Sequence, residues 1–113
     1  MAWVRIDDSL HGHPKFRAAW EMEPSAVGLE LFALSYAGAY LTNGHVDEVF
    51  VRGWFRSPKR RNNAVNALEE TGLWVPNGSG WKIHDYLQYN DSREEVLARR
   101  RADSERKRNA RKK

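Results

Sequence analysis

The chain has 113 residues, 41% of them hydrophobic, and a formal net charge of +4, which bounds it to one small domain with an appendage, since domains commonly run about 100 to 150 residues. It has no cysteine, which excludes a disulfide framework and a cysteine-based zinc site. No apolar run approaches the roughly 18 residues that cross a bilayer, and the N-terminus lacks a basic region followed by an apolar stretch, so the sequence predicts a soluble, cytoplasmic protein with no membrane role.

Residues Ala2 to Ile6 read as a short strand, ended by the turn formers Asp7-Asp8-Ser9. The spacing of Phe16, Ala19 and Trp20 predicts a short helix over His13 to Trp20, with Pro14 in its first turn. From Pro24 onward Val27, Leu31, Leu34 and Ala37/Gly38 form one stripe, and Leu29, Phe32, Ala33, Tyr36 and Tyr40 extend it. This predicts a central buried helix that Asn43-Gly44 ends. His45-Val46 is at most a bridging strand. Asp47 then caps a helix to about Phe55 that packs Val51, Trp54 and Phe55 inward. Ser57 as N-cap, Pro58 at the first position, the stripe Ala64, Val65 and Leu68, and the stop at Gly72 define the next helix. Two helices only a few residues apart have the spacing of a helix-turn-helix.

Two short apolar segments, Leu73 to Pro76 and Trp81 to His84, flank Asn77-Gly78-Ser79-Gly80, a hairpin signal. A four-residue loop sets Trp74 against Ile83 and Pro76 against Trp81 on one face, leaving Val75, Lys82 and His84 on the other. Tyr86, Leu87 and Tyr89 are expected to pack back on the core before Asn90-Asp91 breaks the chain. Ser92 and Glu95 form a capping box for a terminal helix. The fold class that follows is mainly α with a small β-hairpin: a winged helix-turn-helix over residues 1–91, then a basic helical arm over 92–113. The arm is expected to be partly disordered when free, because beyond Leu97 it has little apolar surface to bury.

The charge is unevenly spread. From Arg93 to Lys113 ten basic residues face four acidic ones, a net of +6, while the rest of the chain carries −2. A near-neutral domain with a cationic arm points to a polyanion, because each docked Lys or Arg releases condensed counterions. A second signal lies on the Pro58 to Thr71 helix. Its inward stripe takes the Arg61 stem, Ala64, Val65 and Leu68, which leaves Lys59, Asn62, Asn63 and Asn66 as neighbours on the outer face. Each Asn costs roughly half a kcal/mol relative to Ala in a helix, and Lys59, Arg60 and Arg61 oppose the macrodipole by about 0.3 to 1 kcal/mol each. A DNA phosphate beside that N-terminus removes the conflict, and Asn pairs bidentately with adenine in a major groove. The expected partner is therefore double-stranded DNA. Lys59, Arg60 and Arg61 would hold phosphates, and Asn62, Asn63 and Asn66 would touch base edges. Lys82 would brush the backbone from the wing, and Arg99, Arg100, Arg101, Arg106, Lys107 and Arg108 would add salt-sensitive affinity. An ordinary solvated face and tail is the competing reading of both signals.

Groups suited to catalysis are few. His11-x-His13, Asp7, Asp8, His45 and His84-Asp85 lack a diagnostic metal or acid–base spacing, and the last pair points to opposite faces if it lies in a strand. There is no Walker loop, dinucleotide glycine pattern or nucleophile elbow. No enzymatic activity, cofactor or metal is expected.

The segments Trp3-Val4-Arg5-Ile6-Asp7-Asp8, His13-Pro14-Lys15, Gly72-Leu73-Trp74 and above all Ile83-His84-Asp85-Tyr86-Leu87-Gln88-Tyr89-Asn90-Asp91-Ser92-Arg93-Glu94-Glu95-Val96 carry a resemblance. Over residues 1 to 100 the sequence resembles the N-terminal winged-helix domain of phage and prophage replication-initiation-like proteins from actinobacterial hosts. The resemblance implies a DNA-binding protein of phage type in a bacterial cytoplasm, acting in replication initiation or its control. Set beside the longer members, the resemblance leads to the expectation of no origin-melting or helicase-loading segment after the basic arm. Two other readings stay open: a phage transcriptional regulator or excision factor, and an interaction module that binds and redirects a host protein through a Trp-rich surface. A host or phage replication or transcription protein would then be a partner. RNA is a weaker target, since no aromatic stacking motif of the usual kind is present.

Overall fold

The computed structural model describes residues 3–111. A 3-10 turn over Leu10–Gly12 precedes α1 (Pro14–Met22) and α2 (Pro24–Tyr40), followed by β1 (His45–Asp47), α3 (Glu48–Trp54), α4 (Pro58–Glu70), β2 (Trp74–Asn77), β3 (Gly80–Ile83), α5 (Tyr86–Tyr89) and α6 (Arg93–Arg111). The protein is mostly helical with one antiparallel sheet of order β1-β3-β2. The starts of α1, α2 and α3 have local causes. His13 Nδ1 accepts from the Lys15 N–H at 3.1 Å ahead of Pro14, and Asp47 Oδ1 accepts from the Val49 N–H at 2.9 Å. Glu23, in extended conformation, separates α1 from α2, and Pro24 opens the latter.

The core is set by small residues. Ala26, Leu29, Ala33 and Ala37 of α2 are buried together with Ala19 of α1 and Ala64, Val65, Ala67 and Leu68 of α4, so the three helices approach closely. The sheet covers them with Val46, Trp74 and Ile83. The position of α2 at the centre agrees with the sequence, but its buried face differs from the expected one: Leu31, Phe32 and Tyr40 are turned outward and Val27 and Leu34 only border the core. A helix apolar on every side offers no period from which a face can be chosen. Close packing then favours the alanine side.

The expected hairpin register is observed: Trp74 pairs with Ile83 and Pro76 with Trp81. The pair Asn77↔Gly80 shortens the loop from four residues to Gly78-Ser79, with Gly78 at φ +59. The third strand, β1, lies against β3 so closely that a Cβ at Gly80 would come within 2.0 Å of the Val46 carbonyl oxygen.

Three expectations are corrected. The strand over Ala2 to Ile6 is absent at Trp3–Ile6, while Ala2 lies outside the described residues. No sheet edge receives this segment; Val4 instead nests on α2 at Gly38, where a Cβ would meet its Cγ2 at 2.4 Å, and the Arg5 N–H donates to Asn90 Oδ1 at 2.8 Å. Trp54, expected inward, is half exposed, because α3 has under two turns and commits its one buried side to Val51. Of Tyr86, Leu87 and Tyr89 only Tyr86 is buried, since the single turn of α5 presents one residue inward.

Candidate nucleic-acid interface

α4 is fixed at both ends and along one side. Ser57 Oγ accepts the Arg60 N–H at 3.3 Å, and the Thr71 hydroxyl donates to the Ala67 carbonyl at 2.8 Å. Burial of Ala64, Val65, Ala67 and Leu68 sets its rotation. Lys59, Arg60, Asn62, Asn63 and Asn66 are consequently exposed, and Arg61 is half-buried. Among the described residues no ion pair involves Lys59, Arg60 or Arg61. The three amides and Lys59 thus share one face of the helix, with Arg60 exposed beside it and Arg61 on the half-buried flank.

That face has an acidic end. Glu70 is exposed one turn beyond Asn66, so charge runs from positive at Lys59 to negative over roughly 16 Å at 1.5 Å per residue. Glu69 is committed elsewhere, accepting the Trp81 indole N–H at 2.6 Å and thereby tying the hairpin to α4. A groove runs between α4 and the hairpin turn, lined by Arg61, Asn62 and Asn66 from the helix, Pro76 and Gly78 from the hairpin, and Glu48. Glu48 is paired with Arg52. The turn itself is held: Ser79 Oγ donates to Asp47 Oδ2 at 2.8 Å. The Val49 N–H and the Ser79 hydroxyl hold the Asp47 carboxyl below the usual carboxylate range. Lys82 does not join this set. It stands on the sheet face opposite Trp74 and Trp81, beside His45 and Val75.

α6 is the second basic element. Ser92 Oγ accepts the Glu95 N–H at 3.2 Å and Glu95 accepts the Ser92 N–H at 3.3 Å, the reciprocal bonds of the expected capping box. The Arg93 N–H donates to Asn43 Oδ1 at 2.7 Å. Arg99 pairs with Asp91, whose carboxyl it holds low, and Arg106 pairs with Asp103. Arg100, Arg101, Lys107 and Arg108 are exposed and make no ion pair among the described residues. No residue of α6 is buried, and the helix gives the protein its length, 60 Å against 30 and 21 Å in the other directions. Lys112 and Lys113 lie outside the described residues.

The remaining polar groups are separate from both helices. His84 Nε2 lies 3.0 Å from Asp85 Oδ2; the strand stops at Ile83 and Asp85 is left-handed at φ +60, so the opposite-face placement that a strand would impose does not apply. His45 Nε2 is 3.9 Å from Asp47 Oδ2. The group that sequence reasoning missed is Glu30, 1% exposed, with neither carboxylate oxygen hydrogen-bonded. Burial pushes its carboxyl up to about 8, opposed in part by the nearby Trp74 indole N–H, which itself lacks a bond of ordinary geometry. Its signal was visible: it is the one charged residue in α2.

The chain matches no protein-family model, no curated protein and no solved structure.

Proposed function

We propose that the protein binds double-stranded DNA, entering a major groove with the N-terminal two turns of α4, and that it is of phage type and acts in DNA replication initiation or its control. The observation that carries the reading is the exposed face of Lys59, Arg60, Asn62, Asn63 and Asn66 on a helix whose other side is locked in the core. The order helix, strand, two helices, two strands and the sheet order β1-β3-β2 support a winged helix with α3 and α4 as the helix-turn-helix. In this arrangement Lys59, Arg60 and Arg61 hold phosphates beside the N-terminus of α4, the three amides reach base edges, and α6 follows the backbone. Arg100, Arg101, Lys107 and Arg108 act directly, whereas Arg99 and Arg106 first release their carboxylates. The role in replication rests on the sequence resemblance alone.

The test is fluorescence anisotropy of labelled random and AT-rich duplexes across a salt series. The expected result is a slope of log K against log salt of about −0.9 per phosphate neutralised, with tighter binding to some sequences. No binding at low salt removes the reading.

One observation favours a second reading, an interaction module. Phe32 and Trp54 stack at 4.4 Å and 14° across α2 and α3, with Phe50 and Tyr36 beside them, and both members of the stack are half exposed. Such a patch suits a protein surface. Trp54→Ala that abolishes association with a host protein while leaving duplex binding intact would establish it.

A further inference from the structure

We propose that the outward face of α2, with Trp54 of α3 beside it, is a pairing surface for a second copy of this chain, in which two α2 helices meet along Gly28, Phe32, Ser35 and Ala39. The inference stands apart from DNA binding, because none of its residues belongs to α4 or α6. In the 17 residues of α2 the one charged side chain is Glu30, and it is buried. The exposed side of the helix is therefore uncharged from end to end. Leu31, Phe32, Tyr40 and Trp54 keep 38 to 68% of their surface open to solvent. Gly28, Phe32, Ser35 and Ala39 recur at steps of four, three and four residues, the spacing of a seam along which two helices pack. The rings are fixed before any partner arrives: Trp54 is stacked on Phe32, Phe50 lies 6.0 Å from Trp54, and Tyr36 lies 4.5 Å from Phe50.

Gly28 points to a partner that approaches closely. Glycine inside a helix is destabilising relative to alanine, and it is explained where a Cβ would collide with a neighbour. Gly38 of the same helix is such a case, since its Cβ would meet Val4 Cγ2 at 2.4 Å. At Gly28 a Cβ would meet nothing within 4 Å, and the same holds at Gly53 next to Trp54. No described residue of the chain uses the missing side chain at position 28, whereas a second helix lying against it would.

The absence of charge selects the occupant. A twofold pair brings a surface against itself, so any charge near the axis faces its own like. This face carries none. A phosphate or a charged protein surface would lose its water there and meet no counter-charge. Area sets the strength. A buried aromatic side chain covers about 150 to 250 Å², so the half-exposed rings and Leu31 offer roughly 400 Å² per copy. Two such faces with a polar rim reach about 1,200 Å², the low end of specific interfaces, which gives a reversible dimer.

The test is sedimentation velocity of the full chain from about 1 to 300 µM, without nucleic acid and in about 0.5 M NaCl, where the charge of α6 is screened. A monomer–dimer equilibrium with a dissociation constant on the order of 10 to 100 µM is expected. Ser35→Arg, at an exposed position in the middle of the seam, should weaken pairing at least tenfold while the circular dichroism spectrum stays native. Val75→Arg, which adds the same charge at an exposed position of the sheet, should leave the dissociation constant unchanged. Gly28→Gln, whose Cβ is unopposed within the chain, should raise the unfolding temperature of the dilute monomer by a few degrees and still weaken pairing at least tenfold. A chain that stays monomeric over the whole range hands the face to a partner of another kind and overturns the proposal. A dimer that Ser35→Arg and Gly28→Gln leave as tight as before, or one that Val75→Arg weakens equally, overturns it as well.

Discussion

α4 and α6 both present basic side chains, yet they are held in opposite ways. Four inward positions of α4 are buried against α1, α2 and the sheet, while α6 buries none and is secured at its first turns by the capping box, the Asn43 bond and the Asp91–Arg99 pair. A helix locked in rotation can place an amide against one base edge. A helix free to fray delivers charge without register. The difference predicts that preference among sequences resides in α4 and that salt-dependent affinity resides largely in α6.

The largest effect separates the two by stability. Leu68 is fully buried on α4, so Leu68→Ala should cost about 2 to 5 kcal/mol in a urea or guanidinium unfolding curve. Leu97→Ala, at a half-buried position of α6, should stay within roughly 0.5 kcal/mol. Equal losses would show that α6 belongs to the same cooperative unit as α4.

pH sharpens the same contrast, because the carboxyls supporting the two regions shift in opposite directions. Glu30 is raised to about 8 in the core behind α4. Its protonated form is favoured by the fold, so the stability it contributes is full below the ordinary glutamate value and is lost as pH rises through about 8. Asp91 is lowered by Arg99 at the root of α6. Its contribution is present above the ordinary aspartate value and is lost as pH falls through the lowered one. Stability should therefore fall by about 1.4 kcal/mol per pH unit between the ordinary glutamate value and about 8, where only the folded state is protonated, and level off above it, and Glu30→Gln should abolish that trend in thermal unfolding. Helicity of α6, followed by backbone NMR shifts, should instead decline in acid.

Binding divides along the same line. Replacing Arg100, Arg101, Lys107 and Arg108 together by Gln should flatten the salt slope by about 0.9 for each phosphate left without its cation and weaken all duplexes alike. Asn62→Ala with Asn63→Ala should leave the slope in place and cost about 1 to 3 kcal/mol of discrimination per base pair read. An unchanged order of preference after the Asn substitutions would relocate base reading away from α4.

The boundaries of α4, the hairpin register and the capping box were legible because each is written in local chemistry: Ser57-Pro58 before an apolar stripe, Asn-Gly between two short apolar runs, Ser92 three residues ahead of Glu95. What was not legible depended on tertiary partners. Trp3–Ile6 has strand-forming side chains but is taken up by α2 at Gly38 and by Asn90 rather than by a sheet edge, and α2 has too many apolar positions for periodicity to choose the alanine face. The tie from Trp81 to Glu69 and the burial of Glu30 need residues far apart in sequence to be brought together. The candidate interface was read correctly as exposed, but its acidic end at Glu70 and the separation of Lys82 from α4 follow from rotation and from the sheet's two faces.

Glu70 gives the smallest effect and the one most informative about docking. It shares the outer face of α4 with Lys59, Asn63 and Asn66, at the end remote from the cations. If α4 enters the groove by its N-terminal turns and tilts away, the Glu70 carboxylate stays clear of phosphates, and Glu70→Gln should change affinity by only a few tenths of a kcal/mol at moderate salt, as expected for an exposed charge. If α4 lies flat along the groove, Glu70 meets the backbone of the facing strand, and removing its charge should tighten binding several-fold, with the gain shrinking as salt rises. The salt dependence of that one substitution therefore reports the angle at which the amides approach the bases, and a several-fold gain would overturn the N-terminal entry on which their base-reading role depends.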